Sequence, residues 1–414
     1  MIRHRVLLAD TLVMILAGGQ GERLYPLTRH RSKPAVPFGG VYRIIDFTMS
    51  NCLNSGLRRM YVLTQYKSDS LERHIQLGWS PLFSAELGEW IYTVPPQLRV
   101  GQRWYEGTAD AVFQNIYVLE RERPARVVIL SGDHIYKMDY QKLLAFHADH
   151  GAAATIAAVE VPREDARGFG VVAVDGDQRV TGFLEKPADP PGIPGREGFS
   201  LANMGVYVFE IDTLVRMLSQ DARGAASRHD FGHDILPALV EGGKLYAYPF
   251  VDENRKTQRY WRDIGTLDAY FEASQDLVAV EPVFNLYDRE WPIRTYPPQV
   301  PPAKTVFAED DPQKRLGVAV DSLVSGGVII SGGRAERSIL SPYVRLNSFS
   351  RVSESILMDG VQIGRHARVR RAILDKGVVI PEGCVIGEDP EHDARRFTVT
   401  PRGVSVVTRD SPLA

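Results

Sequence analysis

From residue 361 an aliphatic side chain recurs at every sixth position, as Val361, Ala367, Ile373, Val379 and Val385. An earlier phase gives Leu340, Leu346 and Val352, with glycine and small polar residues between, as in Ser331-Gly332-Gly333 and Ile363-Gly364. A period of six fits neither a helix nor a simple strand. It fits the hexapeptide repeat of a parallel β-helix, whose coils bury a shared core only by stacking. A sandwich with coincidental spacing is the alternative. The repeat takes over near residue 317.

Upstream, to about residue 275, short aliphatic runs alternate with helical stretches, the pattern of an α/β domain with a mostly parallel sheet. Residues 13–17, 59–64, 127–130, 155–161 and 205–209 read as strands. Residues 170–174 and 179–184 read as a hairpin around Asp175-Gly176-Asp177. Residues 140–149 and 213–219 read as helices. Between 281 and 316, prolines at 282, 292, 297, 298, 301, 302 and 312 suit an extended linker. The expected domains are therefore 1–277, a linker over 278–316, and a repeat domain over 317–414.

Composition excludes several function classes. The 49 Lys+Arg against 51 Asp+Glu leave a net charge of −2, so bulk charge makes no case for nucleic acid or an anionic membrane as partner. Two cysteines 332 positions apart, Cys52 and Cys384, support neither a disulfide scaffold nor a cysteine zinc site. The start Met1-Ile2-Arg3-His4-Arg5 imitates a signal peptide, but Asp10 interrupts the apolar run and a glycine turn follows it. No uncharged apolar run reaches the ~18 residues of a membrane span. The reading is a cytoplasmic chain. Of the basic residues, 39 are arginine and only ten lysine. Arginine is a planar fork for phosphate and lysine a point charge, so each lysine in a turn-rich context draws notice.

Two lysines stand in such contexts. Directly after the first strand, Leu16-Ala17-Gly18-Gly19-Gln20-Gly21-Glu22-Arg23-Leu24 lets backbone N–H groups approach a polyphosphate at the start of a helix. It is neither a Walker loop nor a dinucleotide fingerprint, since Leu24 stands where the third glycine belongs. Arg23 and Lys33, ahead of Pro34, add cations; each is otherwise an ordinary surface residue. Ser131-Gly132-Asp133-His134 ends the third strand, where α/β sheets bind ligands. Asp133 is a candidate to hold Mg²⁺ against nucleotide phosphate, or else caps the next helix. His134 reads as a packed histidine. Glu185-Lys186-Pro187 fixes a lysine before a proline, suited to a phosphate. Arg262-Asp263-Ile264-Gly265 supplies a second lone carboxylate; two separated aspartates can share one metal.

The stretches LAGGQGERL, SKPAVPFGG, RIIDFTMSN, WYEGTADA, GDHIY, FGVV, FLEKPADPPG, DFGHDILP and YWRDIGT together resemble bacterial glucose-1-phosphate adenylyltransferase (ADP-glucose pyrophosphorylase). The likeness runs over nearly the whole chain. It implies a Rossmann-like, GT-A-like nucleotidyltransferase domain followed by a left-handed parallel β-helix of hexapeptide repeats. It implies transfer of AMP from ATP to glucose 1-phosphate with release of pyrophosphate. By the same resemblance Gly18, Gly19, Gly21, Arg23 and Lys33 would hold the ATP phosphates and Gln114 would face adenine. Asp133 and Asp263 would carry Mg²⁺. Tyr105, Gly170, Glu185 and Lys186 would hold glucose 1-phosphate. Asn203 stands where the family usually has a serine that contacts the sugar.

The family's enzymes are allosteric homotetramers, activated by glycolytic intermediates or pyruvate and inhibited by AMP or phosphate. An anion-binding effector site between the two domains is expected from Arg31, Arg43 and Lys376, with His30 nearby where many relatives carry lysine or arginine. Gln65 and Trp104 lie on loops the family uses to relay activation. Three other readings compete. They are a UTP- or dTTP-dependent sugar nucleotidyltransferase, a catalytically silent regulatory subunit, and a hexapeptide acyltransferase, for which His366 is the only histidine within the repeats.

Overall fold

The computed structural model describes residues 2–97, 104–256, 259–296, 298–307 and 315–413. Of the prolines in the expected linker, Pro297 and Pro312 lie outside the described residues. The chain divides into two compact units. The first comprises Met1–Gly19, Thr48–Gly132 and Lys137–Arg255; the second comprises Gln20–Phe47, Asp133–Tyr136 and Lys256–Ala414.

The first unit is built on a nine-stranded sheet. Its strands are β1 (Thr11–Ala17), β2 (Arg59–Thr64), β3 (Trp90–Val94), β4 (Arg126–Ser131), β5 (Ala154–Pro162), β6 (Gly170–Val174), β7 (Val180–Glu185), β8 (Phe199–Glu210) and β9 (Leu245–Pro249). The main path runs β7-β6-β8-β4-β1-β2-β3, with β5 pairing β8 and β9. Its heart, β4-β1-β2-β3, is parallel, and β8 turns the direction by pairing antiparallel with β4. Leu12, Val13, Met14 and Ile15 are fully buried, as expected of a central parallel strand covered on both faces. Helices Tyr140–Asp149 and Ile211–Asp221 match the sequence expectation, the second with a longer span, while helix Ile2–Ala9 precedes β1 without having been anticipated. The Gly132 N–H donates to Leu16 O at 3.1 Å, so the chain leaves β1 and β4 side by side. Ligand sites of open α/β sheets form at such adjacent strand ends.

In the second unit, three sheets of parallel strands stack coil upon coil, the third ending in an antiparallel pair of Thr398–Val399 with Ser405–Val407. One sheet aligns Arg334 with Arg351 and Arg351 with Arg368, so a coil takes 17 residues and not 18. The inward positions follow a rhythm of six, six and five: Leu340, Leu346, Val352, Leu357, Ile363, Val369, Leu374, Ile380 and Ile386, all buried. The strict period of six starting at Val361 therefore drifts off the core. Val361, Ala367 and Ile373 are buried, but Val379 is 55% exposed and Val385 only half-buried. The strand Lys304–Val306, inside the expected linker, pairs with Ile329–Ser331 in the first of these sheets.

The third sheet is apolar on both faces. Leu340, Leu357 and Leu374 face the coil interior, while Ile339, Ile356 and Ile373 join the cluster that holds Leu267, Tyr270 and Phe271 of helix Leu267–Asp276. That helix starts at a Thr266 cap and is tied by Tyr270 OH to Pro37 O at 2.7 Å. The cluster also takes in Leu24, Val36, Phe47 and Ile135 from the unit's other two segments.

The 17-residue coil makes a clear stability prediction. Leu357→Ala is expected to cost about 2–5 kcal/mol by chemical denaturation, whereas Val379→Ala should stay within about 0.5 kcal/mol. Comparable losses would restore the strict period of six.

Candidate active site

Strand pairing assembles the first cluster. In the second unit Asp263 lies opposite His134 in the two-stranded ladder of His134–Tyr136 with Trp261–Asp263, next to Asp133. The 3-10 turn Lys33–Ala35 brings a lysine to the same point. Lys33 Nζ stands 2.6 Å from Asp133 Oδ2 and 3.5 Å from Asp263 Oδ1. Burial pulls the ammonium's pKa down and Arg23 adds a smaller push the same way, but the two carboxylates overcome both and hold it above its ordinary value. His134 packs edge-on to Trp261 with ring centroids 5.2 Å apart, yet its Nε2 stands 3.5 and 3.6 Å from the two carboxylates. The packed histidine of the sequence reading thus borders the site. Ligand atoms of Asp133, His134 and Asp263 lie within 4.8 Å of one another. Oxygen donors of this kind fit a hard divalent cation such as Mg²⁺. Asp133 caps no helix, since a strand follows it directly.

The glycine loop opens no long helix. Gly21, at φ +67°, caps the single 3-10 turn Glu22–Leu24. A Cβ there would meet Thr28 Cγ2 at 2.9 Å and Lys33 Cβ at 3.0 Å, so the loop closes only around glycine. Arg23 is exposed. In the first unit, Gly18 packs against Gln65, whose Nε2 donates to Tyr105 O at 3.4 Å. Trp104 stacks on Tyr66 with ring centroids 5.5 Å apart. The candidate relay residues Gln65 and Trp104 thus lie beside the glycine loop and Tyr105. Among the described residues, Gly19 meets nothing within 4 Å of where a Cβ would stand.

A second cluster, in the first unit, surrounds Glu185 at the end of β7. A Cβ on Gly170 would come within 2.8 Å of Glu185 Oε2, and one on Gly232 within 2.9 Å. Two glycines thus open the corner that takes this carboxylate. Lys186 follows at φ +46° with its N–H bonded to Phe169 O, its side chain exposed and its Nζ 3.4 Å from Glu185 Oε1. A residue before proline normally stays extended, so this left-handed lysine is held against its preference. Asn203 is committed within β8: its Oδ1 accepts from Gly205 N and its Nδ2 donates to Tyr207 OH at 2.8 Å. Tyr207 is buried, which raises its phenol well above the ordinary range, and the charges of Asp230 and Glu185 push the same way.

The third cluster rests on helix Thr108–Phe113. Gln114 Nε2 donates to Asp110 Oδ2 at 2.7 Å, which turns the amide so that its Oε1 is the remaining acceptor. That oxygen is buried and has no hydrogen-bond partner among the described residues. Tyr105 OH accepts from Asn115 at 2.9 Å, and burial pushes its pKa up to about 12. Thr108 bonds Asp230, and Asp230 caps the turn Phe231–Ile235 through Gly232 and His233. The sequence motifs around 104–111 and 230–237 are therefore one structure. Asp110, Thr108 and Asp230 escaped the residue-level reading, although WYEGTADA and DFGHDILP contained them; only the Asx-turn chemistry of Asp230 pointed to a role.

The candidate effector residues in the second unit are already paired. Arg31 forms a two-pronged bridge to Asp375 at 2.7 and 3.1 Å, and Lys376 Nζ lies 2.5 Å from Asp359. The Arg43 backbone N–H caps onto Asp46, and His30 is exposed.

Residues 12–279 match the Nucleotidyl transferase family, and residues 301–407 match the GlmU-like, C-terminal hexapeptide family. A protein of Koribacter versatilis named glucose-1-phosphate adenylyltransferase is 55% identical over 98% of this chain and 96% of its own length. One of Rhodopirellula baltica with the same name is 53% identical over 99% and 92%. A Vibrio cholerae protein named glucose-1-phosphate adenylyltransferase 2 is 50% identical over 96% and 97%.

Removing Asp133 takes away the nearer of the two carboxylates on Lys33 and leaves only Asp263 at 3.5 Å. Asp133→Asn is expected to lower stability by about 1–3 kcal/mol in denaturant unfolding without metal. An unchanged midpoint would mean that the ion pair is not formed.

Proposed function

The chain belongs to the glucose-1-phosphate adenylyltransferases, and from that membership we propose that it transfers AMP from ATP to α-D-glucose 1-phosphate, giving ADP-glucose and pyrophosphate. The observation that carries the reading is the Lys33–Asp133–Asp263 cluster, whose Asp133 follows β4 in sequence. The nucleophile is a phosphate oxygen of the sugar phosphate, whose second ionisation near ~6 leaves it mostly dianionic. It forms a bond to the α-phosphorus as the bond to pyrophosphate breaks, so no protein base is required. The task is alignment and cancellation of charge.

Lys33 and Arg23 supply cations for the triphosphate, and the backbone N–H groups of Gly18, Gly19 and Gly21 would also serve its phosphates. Asp133 and Asp263 would hold Mg²⁺, which when bound neutralises the polyphosphate. Gln114 Oε1 accepts from the exocyclic amino group of adenine, an orientation supported by its Asp110 partner. A uracil ring presents a carbonyl at the corresponding place and meets repulsion there. Glu185, with Tyr105 and Gly170, takes the hydroxyls of glucose 1-phosphate, and exposed Lys186 takes its phosphate. Asn203 acts on this site through Tyr207.

The same reading assigns residues 1–277 to catalysis, 278–316 to the linker and 317–414 to assembly and regulation in a homotetramer. Arg31, Arg43 and Lys376, with His30, would receive a small anionic effector, a phosphorylated glycolytic intermediate or pyruvate as activator, AMP or phosphate as inhibitor. Gln65 and Trp104 would relay it. Among the described residues no helix is long and apolar enough to cross a membrane, and we assign the chain to the cytoplasm.

A matrix of ATP, UTP and dTTP against glucose 1-phosphate, read by pyrophosphate release at fixed Mg²⁺, tests the reaction. ATP should be strongly preferred; UTP outrunning ATP tenfold would overturn the reading. For Lys186→Ala, loss of a charge-assisted contact should raise the KM for glucose 1-phosphate about 10- to 100-fold. The KM for ATP should move far less. Equal changes would refute the role of Lys186.

A further inference from the structure

We propose that His229 is a positioning residue for adenine recognition: its backbone carbonyl, aimed by a left-handed backbone conformation, fixes the helix that carries Asp110 and Gln114. The inference rests on the assignment of Gln114 to adenine.

His229 sits at φ +55°, a left-handed conformation that only a few per cent of non-glycine residues adopt, asparagine, aspartate and histidine more readily than the rest. Such a conformation persists only where its surroundings over-determine it. Here they do. The ring Nδ1 meets Asp221 Oδ2 at 2.8 Å, and the backbone N–H donates to Ser227 Oγ at 2.9 Å. Ser227 in turn donates to the other Asp221 oxygen at 2.6 Å. Asp221 is the last residue of helix Ile211–Asp221, so the anchor belongs to a regular element.

The strained residue then points its carbonyl at one place. His229 O accepts the N–H of Ala109 at 2.8 Å and that of Asp110 at 3.2 Å. These are among the first N–H groups of helix Thr108–Phe113, which lack partners inside the helix and need an external acceptor. A Cβ on Gly107 would fall 2.2 Å from His229 O, so the two backbones meet at a distance only glycine allows. One turn further along, Asp110 orients Gln114. A shift of the His229 carbonyl therefore moves the only polar pair proposed to read the base. The imidazole also has Glu106 near, with Nε2 3.8 Å from Oε2.

The test is a variant series in the full-length enzyme, with kcat/KM measured for ATP and for UTP against glucose 1-phosphate. His229→Ala removes the anchor and disfavours the backbone conformation. It should lower the ATP-to-UTP ratio about five- to tenfold, through a higher KM for ATP, with the KM for glucose 1-phosphate within about threefold. His229→Asn, which tolerates the left-handed conformation and keeps a polar group, should recover most of the ratio, and His229→Gly should fall between. Asp221→Asn, which leaves the histidine in place and weakens its grip, should show a smaller loss in the same direction and serves if the alanine variant fails to fold.

A His229→Ala enzyme with an unchanged ratio, or one whose two KM values rise together, would overturn the proposal, as would an asparagine variant no better than alanine. Gln114→Ala separates the two levels. If it leaves the ratio unchanged, the adenine assignment itself is wrong. If it collapses the ratio while the His229 series does not, only the positioning role fails.

Discussion

A lysine ammonium taken out of water beside two carboxylates is the constraint around which this chain is organised. Alone, Lys33 would be costly to bury, and Asp133 and Asp263 would repel each other at such short range. Together they hold one another, although Asp133 lies 100 and Asp263 230 positions beyond Lys33 in sequence. Each is delivered by a different local device: a proline-led 3-10 turn, the end of a buried strand, and a two-stranded ladder. The cluster carries two negative charges against one positive, and the remainder suits a site that must accept a further cation together with a polyanion. Stability and chemistry therefore draw on the same three side chains.

Two of the chain's left-handed non-glycine residues stand at the other delivery points. Lys186 and His229 both occupy left-handed backbone, at φ +46° and +55°, conformations that cost on the order of 1–3 kcal/mol each. Each is locked by backbone hydrogen bonds to a neighbouring segment, Lys186 through Phe169 and His229 through Ala109 and Asp110. Each stands at a junction where a strand or loop hands over to a functional group. A relaxed backbone would send those groups elsewhere, so the cost is tied to the geometry it secures.

What was legible in the sequence was local. Runs such as the one in β1 announced buried strands, Gly-Asp after β4 announced a strand-end carboxylate, and Glu-Lys-Pro announced a fixed cation. The β-helix was visible from its first phase, but its coil length was not. The five-residue side of each coil shifts the pattern by one position per turn, and the eye extends a period of six through it until Val379 emerges into solvent. Non-local relations stayed hidden as well. Nothing near residue 185 says that Gly170 and Gly232 make room for its carboxylate. Nothing near residue 229 says that its carbonyl caps a helix more than a hundred residues earlier. Such relations exist only once the sheet has brought strand ends together.

The excess of arginine over lysine has a similar resolution. Arg31 is buried, with its two terminal nitrogens each donating to one oxygen of Asp375, while Lys376 is matched by Asp359. The overall charge is near zero in part because cations like these carry their own carboxylates. An effector anion proposed for this region thus meets no empty basic surface; it must compete with Asp375 and Asp359 for partners already satisfied. Its net binding energy is the difference between two ion-paired states, which is smaller than either and sensitive to the exact placement of a planar guanidinium. Under that proposal, histidine at position 30 would bear on which anion prevails and not on the fold. Such a separation would let one architecture keep its chemistry fixed while the proposed regulation changed.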